Sequence, residues 1–221
     1  MPHSVSVGRL VDLLATLFLI STFASVVARQ MAGCIYAYAT QSMFLAAVAL
    51  TIAVATGAPH LFILAGVVLG VKVLFIPWLL KRSIHDSILE KRELSFYFGV
   101  PASLVISGVL VVVSDGFAAR LPGIAVSPAA PALSAGVATI LIGFWIMISR
   151  REAVPQVVGL LTAENGLMLV ALATVSCLPL ITDMGILLDL VAGVLIMGIL
   201  VRHMVVVGRT TDTARLQRLK G

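Results

Sequence analysis

Long apolar runs alternate with short polar segments along the whole chain. A helix that crosses the hydrocarbon core of a membrane needs about 20 mostly apolar residues. Runs of this length predict about seven transmembrane helices, at 9–28, 31–56, 60–80, 96–114, 132–149, 153–177 and 184–207. The pattern therefore predicts an all-α integral membrane protein.

Composition indicates where any chemistry takes place. Of the 221 residues, 60% are hydrophobic and 11% are charged, and the mean hydropathy is +1.13. An average soluble domain has about 25% charged residues. No polar stretch is long enough to fold as a separate water-soluble domain, so any activity belongs within the membrane or at its edge.

The basic residues predict the orientation of the chain. Lys and Arg accumulate on the cytoplasmic side of membrane proteins. Most of the 15 basic residues follow the first, third, fifth and seventh predicted spans, which end on the same face. We therefore expect the N-terminus outside and the C-terminus in the cytoplasm, in the inner (cytoplasmic) membrane. The net charge of +5 reflects this bias and gives no reason to expect nucleic acid as a partner.

A weak internal similarity suggests that the chain contains two related halves. An alignment that sets 40–50 over 163–173 also sets 60–71 over 183–194. Two parallel three-helix units would produce this pattern, and such repeats occur in membrane proteins, although apolar helices also align by chance. The predicted division begins with a three-helix unit (1–80), a cytoplasmic interfacial helix (81–95) and a connector helix with an outer loop (96–130). It continues with a second three-helix unit (131–207) and a basic cytoplasmic tail (208–221).

Polar side chains inside the spans are the candidate functional residues. Glu164 lies near the middle of the sixth predicted span, Asp189 lies at nearly the same depth in the seventh, and Lys72 lies inside the third. Each such charge costs about 2.5 to 3.5 kcal/mol at a helix centre. Gln41 matches the depth of Glu164 in the second span, and Asn165 follows Glu164 directly. Together they predict a polar layer across an otherwise apolar bundle.

Two interpretations of this layer remain open. Burial favours the neutral form of both a carboxyl group and an amine, so a buried pair is able to change charge state and exchange protons. Alternatively, Glu164 is protonated and hydrogen-bonds Asn165 or a neighbouring helix, while Lys72 pairs with one acid as a fixed packing device. In either case we expect Lys72 within direct or water-bridged reach of a carboxylate, because an isolated buried charge is too costly.

Two motifs in the third predicted span concern its packing. Gly66 and Gly70 form a GxxxG pattern, which is more often a close helix crossing than a functional site. Pro77 is expected to bend the span, since proline has no N–H to donate.

The cysteines and histidines do not indicate a metal or redox site. The two cysteines are far apart, and the four histidines are scattered at His3, His60, His85 and His203. This distribution leaves no CxxC pair or histidine cluster for iron–sulfur, nickel or zinc. We therefore expect no cofactor and no redox chemistry on this chain.

Two segments in the second half of the chain indicate a resemblance to a known family. The residues RREAVPQVVGLLTAENGLMLVALA, followed by DMGILLDLVAGVLIMGILVRHM, resemble component E of hydrogenase-4, a membrane subunit of formate-hydrogenlyase-type and related group 4 hydrogenase complexes. The resemblance extends over essentially the whole chain. The predicted spans five to seven are also similar to the K-type subunit of respiratory complex I and the C-type subunit of Mrp antiporters. One departure is that the acid expected two residues after Gly159 is Leu161 here, and Glu164 lies almost one helical turn further on.

The resemblance implies a non-catalytic membrane-arm subunit of a complex I-like, membrane-bound hydrogenase. Glu164, Asp189 and Lys72 would then contribute to translocation of protons or sodium ions, with Asn165 and Gln41 in support. The implied partners are antiporter-like and other membrane-arm subunits and, through the complex, the peripheral arm of the hydrogenase. The alternatives are a subunit of an Mrp-type cation/proton antiporter assembly and a structural adaptor between larger membrane subunits.

Overall fold

A computed structural model describes residues 2–83, 98–121, 130–150 and 153–174 of the chain. The described residues form helices, without strands. In chain order, they are α1 (Pro2–Val27), α2 (Met31–Thr56), α3 (Pro59–Val67), a π-helical segment (Val68–Phe75), α4 (Ile76–Ser83), α5 (Val100–Ala118), α6 (Ala130–Ser149) and α7 (Ala153–Thr174).

Six of these helical stretches are long and apolar enough to cross a membrane. They are Val7–Val27, Met31–Thr56, Pro59–Arg82, Val100–Ala118, Ala130–Ser149 and Val154–Thr174. The first six predicted spans are therefore confirmed as helices of membrane-spanning length, in a multi-pass membrane protein. The seventh predicted span with Asp189, most of the interfacial helix at 81–95 and the basic tail lie outside the described residues. The orientation and the repeat stay predictions.

Helices α2 and α3 are joined by a tight turn. Gly57 ends α2 in the left-handed conformation, with φ of 69°, and its N–H donates to the carbonyl of Ala53. Glycine adopts this conformation without the steric cost that a Cβ would add. Pro59 then starts α3, where the first N–H has no partner within the helix in any case.

The third span changes its helical register around Lys72. Residues Val68–Phe75 are π-helical, and the N–H of Ile76 bonds to the carbonyl of Val71, five residues back. Pro77 lies just beyond, and its ring removes a donor and crowds the preceding turn. The distortion expected from Pro77 thus takes the form of a widened turn that includes Lys72. Such segments are rare and are frequent at functional sites.

Glycines make the contact between α6 and α7 unusually close. A Cβ placed on Gly143 would lie 2.6 Å from the backbone nitrogen of Ala163, and one on Gly166 would lie 2.7 Å from the carbonyl oxygen of Gly136. No side chain fits at such distances, so glycine is required at both crossings. The two helices run antiparallel, because the earlier part of α6 meets the later part of α7.

The predicted close crossing at Gly66 and Gly70 is wrong for the described part of the chain. A Cβ at either glycine would have no heavy atom within 4 Å there. The GxxxG pattern gives only spacing on one helix, whereas a crossing also requires a partner helix on that face.

Arg150 connects the end of α6 to the end of α1. Its side chain is buried, and its guanidinium group donates to the carbonyl oxygens of Ser25, Val26 and Ala28 at 3.2, 2.8 and 3.0 Å. Carbonyls at a helix C-terminus have no partner within the helix, and a positive charge there is favourable. This arginine, one of the basic residues that predict the orientation, is therefore also a buried helix cap.

Candidate functional site

Three helical segments each contribute one polar turn to the same region of the bundle. Helix α2 supplies Gln41 and Ser42, the π-helical segment supplies Lys72, and α7 supplies Glu164 and Asn165. All except Glu164 are completely buried. We refer to these five residues as the polar layer.

An ion pair lies at the edge of the polar layer. The Nζ atom of Lys72 is 3.0 Å from Oε1 of Glu164. The same ammonium group donates to Oδ1 of Asn165 at 2.8 Å. The Lys72 side chain is 0% exposed, whereas that of Glu164 is 26% exposed. The prediction that Lys72 lies within reach of a carboxylate is confirmed, and the acid is the accessible member of the pair.

Amide side chains connect the ion pair to α1. The Nδ2 group of Asn165 donates to Oε1 of Gln41 at 3.2 Å and to Oγ of Ser42 at 2.9 Å. Gln41 in turn donates through Nε2 to Oγ1 of Thr22 at 2.8 Å. The Asn165 amide oxygen accepts from Lys72, and the Gln41 amide oxygen accepts from Asn165. The Gln41 amide nitrogen then donates to Thr22. The chain of hydrogen bonds fixes the orientation of Asn165 and holds its oxygen on Lys72.

Only the Lys72–Glu164 pair is ionisable in this network. The carboxamides of Asn165 and Gln41 do not gain or lose protons in the ordinary pH range, so they orient the lysine rather than carry protons. The Lys72–Glu164 pair has no net charge, either when both groups are charged or when both are neutral. A separation of 3.0 Å is short enough for direct proton transfer between the two groups.

Apolar residues close the polar layer on both sides along the bundle axis. On one side Ile35, Tyr38, Ile76, Leu80, Val158 and Leu161 belong to one buried cluster. On the other side Leu45, Ala49, Leu64, Val68, Met168 and Leu169 belong to a larger one. Within the described helices, the accessible part of the layer is therefore the exposed edge of Glu164.

The sequence identified four of the five residues in the polar layer. Glu164, Asn165, Lys72 and Gln41 are brought together by the fold, while Asp189 lies outside the described residues. Ser42 was missed, although the repeat alignment sets it against Asn165. Thr22, on α1, carried no signal, because hydroxyls in apolar helices commonly bond to their own backbone, as Thr22 also does to the carbonyl of residue 18 at 3.1 Å.

A second polar contact lies away from this layer. Ser134 on α6 donates a hydrogen bond to Asp115 near the end of α5. The Asp115 side chain is exposed and lies in the last turn of α5. Across the described ranges, no three His, Cys, Asp or Glu side chains come together in a way that could hold a metal ion.

Comparisons with known proteins identify distant relatives of the chain. The chain is 28% identical over 188 residues to hydrogenase-4 component E of Escherichia coli K12, which covers 83% of this chain and 85% of that protein. The protein of the same description from Shigella flexneri matches equally well. The chain is a distant relative of hydrogenase-4 component E. It is also 27% identical over 213 residues to an uncharacterized protein of Mycobacterium tuberculosis, with 96% of each chain covered.

No protein-family model and no solved structure matches the chain. The sequence identity to component E supports the resemblance as distant homology. The further similarity of the C-terminal part to the K-type subunit and the Mrp C-type subunit stays a prediction.

Proposed function

We propose that the protein is a non-catalytic membrane subunit of a complex I-like, membrane-bound hydrogenase. Its distant homology to hydrogenase-4 component E and its six spanning helices support a place in such a complex. In this role Glu164 and Lys72 take part in translocation of protons, or of a sodium ion, and Asp189 is a second acid in the same path. The partners are antiporter-like and other membrane-arm subunits, with the peripheral arm of the hydrogenase reached through them.

The observation that carries this proposal is the difference in exposure between the two members of the ion pair. Lys72 is sealed and fixed by Asn165, whereas the Glu164 side chain is 26% exposed. A purely structural pair requires no access to water or to a neighbouring group for either of its members. A group that exchanges protons requires such access. Glu164 is then the entry point, and Lys72 is the fixed charge that responds to its protonation.

The apolar clusters on either side of the polar layer favour access from the side of the bundle. Protons require water or titratable groups, and among the described residues the two clusters are apolar except for the Tyr38 hydroxyl and the Cys34 thiol. We therefore expect the exchange partner of Glu164 to approach from beside α7, either from a neighbouring subunit or from the part of this chain outside the described residues. Such a lateral arrangement suits a small subunit that links larger ones.

The parallel repeat belongs to the same proposal. The repeat alignment sets Gln41 and Ser42 over Glu164 and Asn165, and Ser42 contacts Asn165 directly at 2.9 Å. Contact between equivalent positions is what an approximate twofold axis between two halves produces. The contact between α2 and α7 therefore supports the repeat, in which only the second half carries an acid at this depth.

A structural adaptor is the second candidate, and the hydrogen bonds of the polar layer favour it. Two of the three Lys72 donors are used by Glu164 and Asn165, and Asn165 is itself anchored to α2. Such a network would clamp three helices together without any change of protonation. The two candidates differ in what happens when the acid is replaced by its amide.

The test is proton movement by the assembled complex in vesicles carrying Glu164→Gln. The amide keeps the shape and an acceptor for Lys72 but does not titrate, so we expect normal assembly and at least about tenfold slower proton movement. Asp115→Asn is the matched control, since it neutralises another carboxylate in a span without touching the pair. If Glu164→Gln fails to assemble, Lys72→Met with Glu164→Gln removes the unpaired charge and repeats the test. If an assembled variant without Glu164 moves protons at the wild-type rate, the translocation role is excluded and the structural adaptor role remains.

A further inference from the structure

Tyr38 is a buried tyrosine whose hydroxyl has no hydrogen-bond partner in the part of the chain that the structure describes. Its side chain is completely buried in α2, and its Oη atom makes no hydrogen bond to the described residues. A buried hydroxyl without a partner is costly, whereas phenylalanine would fill the same space without that cost. Such a group in a folded protein therefore calls for an explanation.

The position of Tyr38 relates it to the polar layer. It lies one helical turn before Gln41 and Ser42, and residues three or four apart share a helix face. It also belongs to the same buried cluster as Leu161 and Ile76, which lie one turn from Glu164 and Lys72 on their own helices. Tyr38 therefore belongs to the part of this cluster that lies one helical turn from the polar layer on each of the three helices.

The Tyr38 hydroxyl is close to the accessible member of the ion pair. It lies next to Ser42 without a hydrogen bond of normal geometry, and the charge of Glu164 acts on it. Thr162 is another buried hydroxyl without a partner, on α7 itself. However, it lies two residues before Glu164, about 200° around the helix, and so on the opposite face. Tyr38 is the better placed of the two hydroxyls to meet the Glu164 carboxyl group.

We propose that Tyr38 is a positioning residue for Glu164, and that its hydroxyl binds the carboxyl group when Glu164 leaves Lys72. This inference rests on the proposed function, in which Glu164 exchanges protons. As a carboxylate, Glu164 is attracted to the Lys72 ammonium group at 3.0 Å. When a proton from a neighbouring group is added to a carboxylate oxygen, this charge attraction disappears, and Lys72 keeps its bond to Asn165. The Tyr38 hydroxyl then donates to the carboxyl oxygen of the neutral Glu164.

This arrangement gives Glu164 two positions that differ in protonation. The charged carboxylate is held at Lys72, and the neutral carboxyl group is held at Tyr38, next to the apolar cluster. A neutral acid tolerates that environment far better than a charged one. The exchange requires only a rotation of the Glu164 side chain, which its partial exposure permits.

Tyr36 offers a matched control on the same helix. It lies two residues from Tyr38, its side chain is 58% exposed, and the Lys81 ammonium group is 3.8 Å from the centre of its ring. Phenylalanine at Tyr36 removes the same atom from the same helix without altering the surroundings of Glu164.

The experiment is infrared spectroscopy of the full chain in lipid nanodiscs, at a pH low enough to protonate Glu164. The carbonyl band that disappears in Glu164→Gln belongs to Glu164. In Tyr38→Phe we expect this band at higher frequency, because loss of a hydrogen bond to the carbonyl oxygen strengthens the C=O bond. In Tyr36→Phe it should be unchanged. Coincident bands in Tyr38→Phe and the wild type would overturn the inference.

Folding and proton movement give two further readouts. Tyr38→Phe should fold at least as well as the wild type, since its hydroxyl has no partner to lose in the described structure; failure to accumulate would also overturn the inference. In the assembled complex, Tyr38→Phe should slow proton movement by about tenfold, equivalent to about 1.4 kcal/mol. The infrared shift is independent of transport. If Glu164→Gln moves protons normally while Tyr38→Phe shifts the Glu164 band, the proposed function fails but the Tyr38–Glu164 contact stands. If Glu164→Gln is inactive while Tyr38→Phe leaves the band unshifted, only the inference about Tyr38 fails.

Discussion

The Lys72–Glu164 pair predicts an unequal response to removal of its two members. At 3.0 Å, the attraction between two unit charges is about 5.5 kcal/mol with an effective dielectric constant of about 20. Desolvation of both groups offsets much of this, so the intact pair contributes little net stability. When one member is removed, the other remains buried without a charged partner, and its desolvation cost is lost from the stability of the protein. That cost depends on whether the remaining group has access to water.

Lys72 has no such access, whereas Glu164 does. Glu164→Gln leaves a sealed ammonium group with only neutral acceptors, so we expect a loss of about 3 kcal/mol, near the lower end of the range for broken buried pairs. Lys72→Met leaves a partly exposed acid that is able to take up a proton, so we expect a loss of about 1 kcal/mol. The double variant Lys72→Met, Glu164→Gln should lose no more than Lys72→Met, which gives a coupling energy of about 3 kcal/mol.

The assay is reversible unfolding of the full chain in mixed micelles, followed by the fluorescence of the two tryptophans, with all four forms measured under the same conditions. The cycle requires that none of the variants changes the helical content, which circular dichroism checks. Equal losses for the two single variants would refute the argument from exposure. A coupling energy near zero would refute the ion pair itself.

Three further predictions test other parts of the structure. Gly143→Ala should destabilise the protein by about 1–3 kcal/mol because the added methyl group overlaps α7. Gly66→Ala should be neutral in the same unfolding assay, because no heavy atom of the described residues lies within 4 Å of the added Cβ. Arg150→Lys should lose about 2 kcal/mol, since an ammonium group does not reproduce three guanidinium bonds to carbonyls; an unchanged unfolding curve would contradict the cap. The predicted orientation puts Cys177 outside and Cys34 on the cytoplasmic side, so an impermeant thiol reagent added to intact cells should prefer Cys177 if either thiol is exposed. Selective reaction of Cys34, which is buried in the structure, would reverse the topology.

The sequence by itself determined the membrane class, six of the spans and most of the polar layer. These features follow from local composition, because insertion of a helix depends on its own apolar length and each buried charge carries a large cost wherever it lies. Lys72, Glu164, Asn165 and Gln41 are therefore visible as exceptions within apolar runs. The same reasoning indicated that Lys72 needs an acid, without identifying which one.

Tertiary structure decided which groups meet. The partner of Lys72 is Glu164, 92 positions away, and the glycines that allow a close crossing are those of α6 and α7 rather than Gly66 and Gly70. Packing between helices depends on the shapes of two faces that are distant in the chain, and a motif on one helix describes only one of them. For the same reason Arg150 is a helix cap as well as one of the basic residues that predict the orientation. The Tyr38 hydroxyl, which has no hydrogen-bond partner among the described residues, became apparent only once the helices were assembled around it.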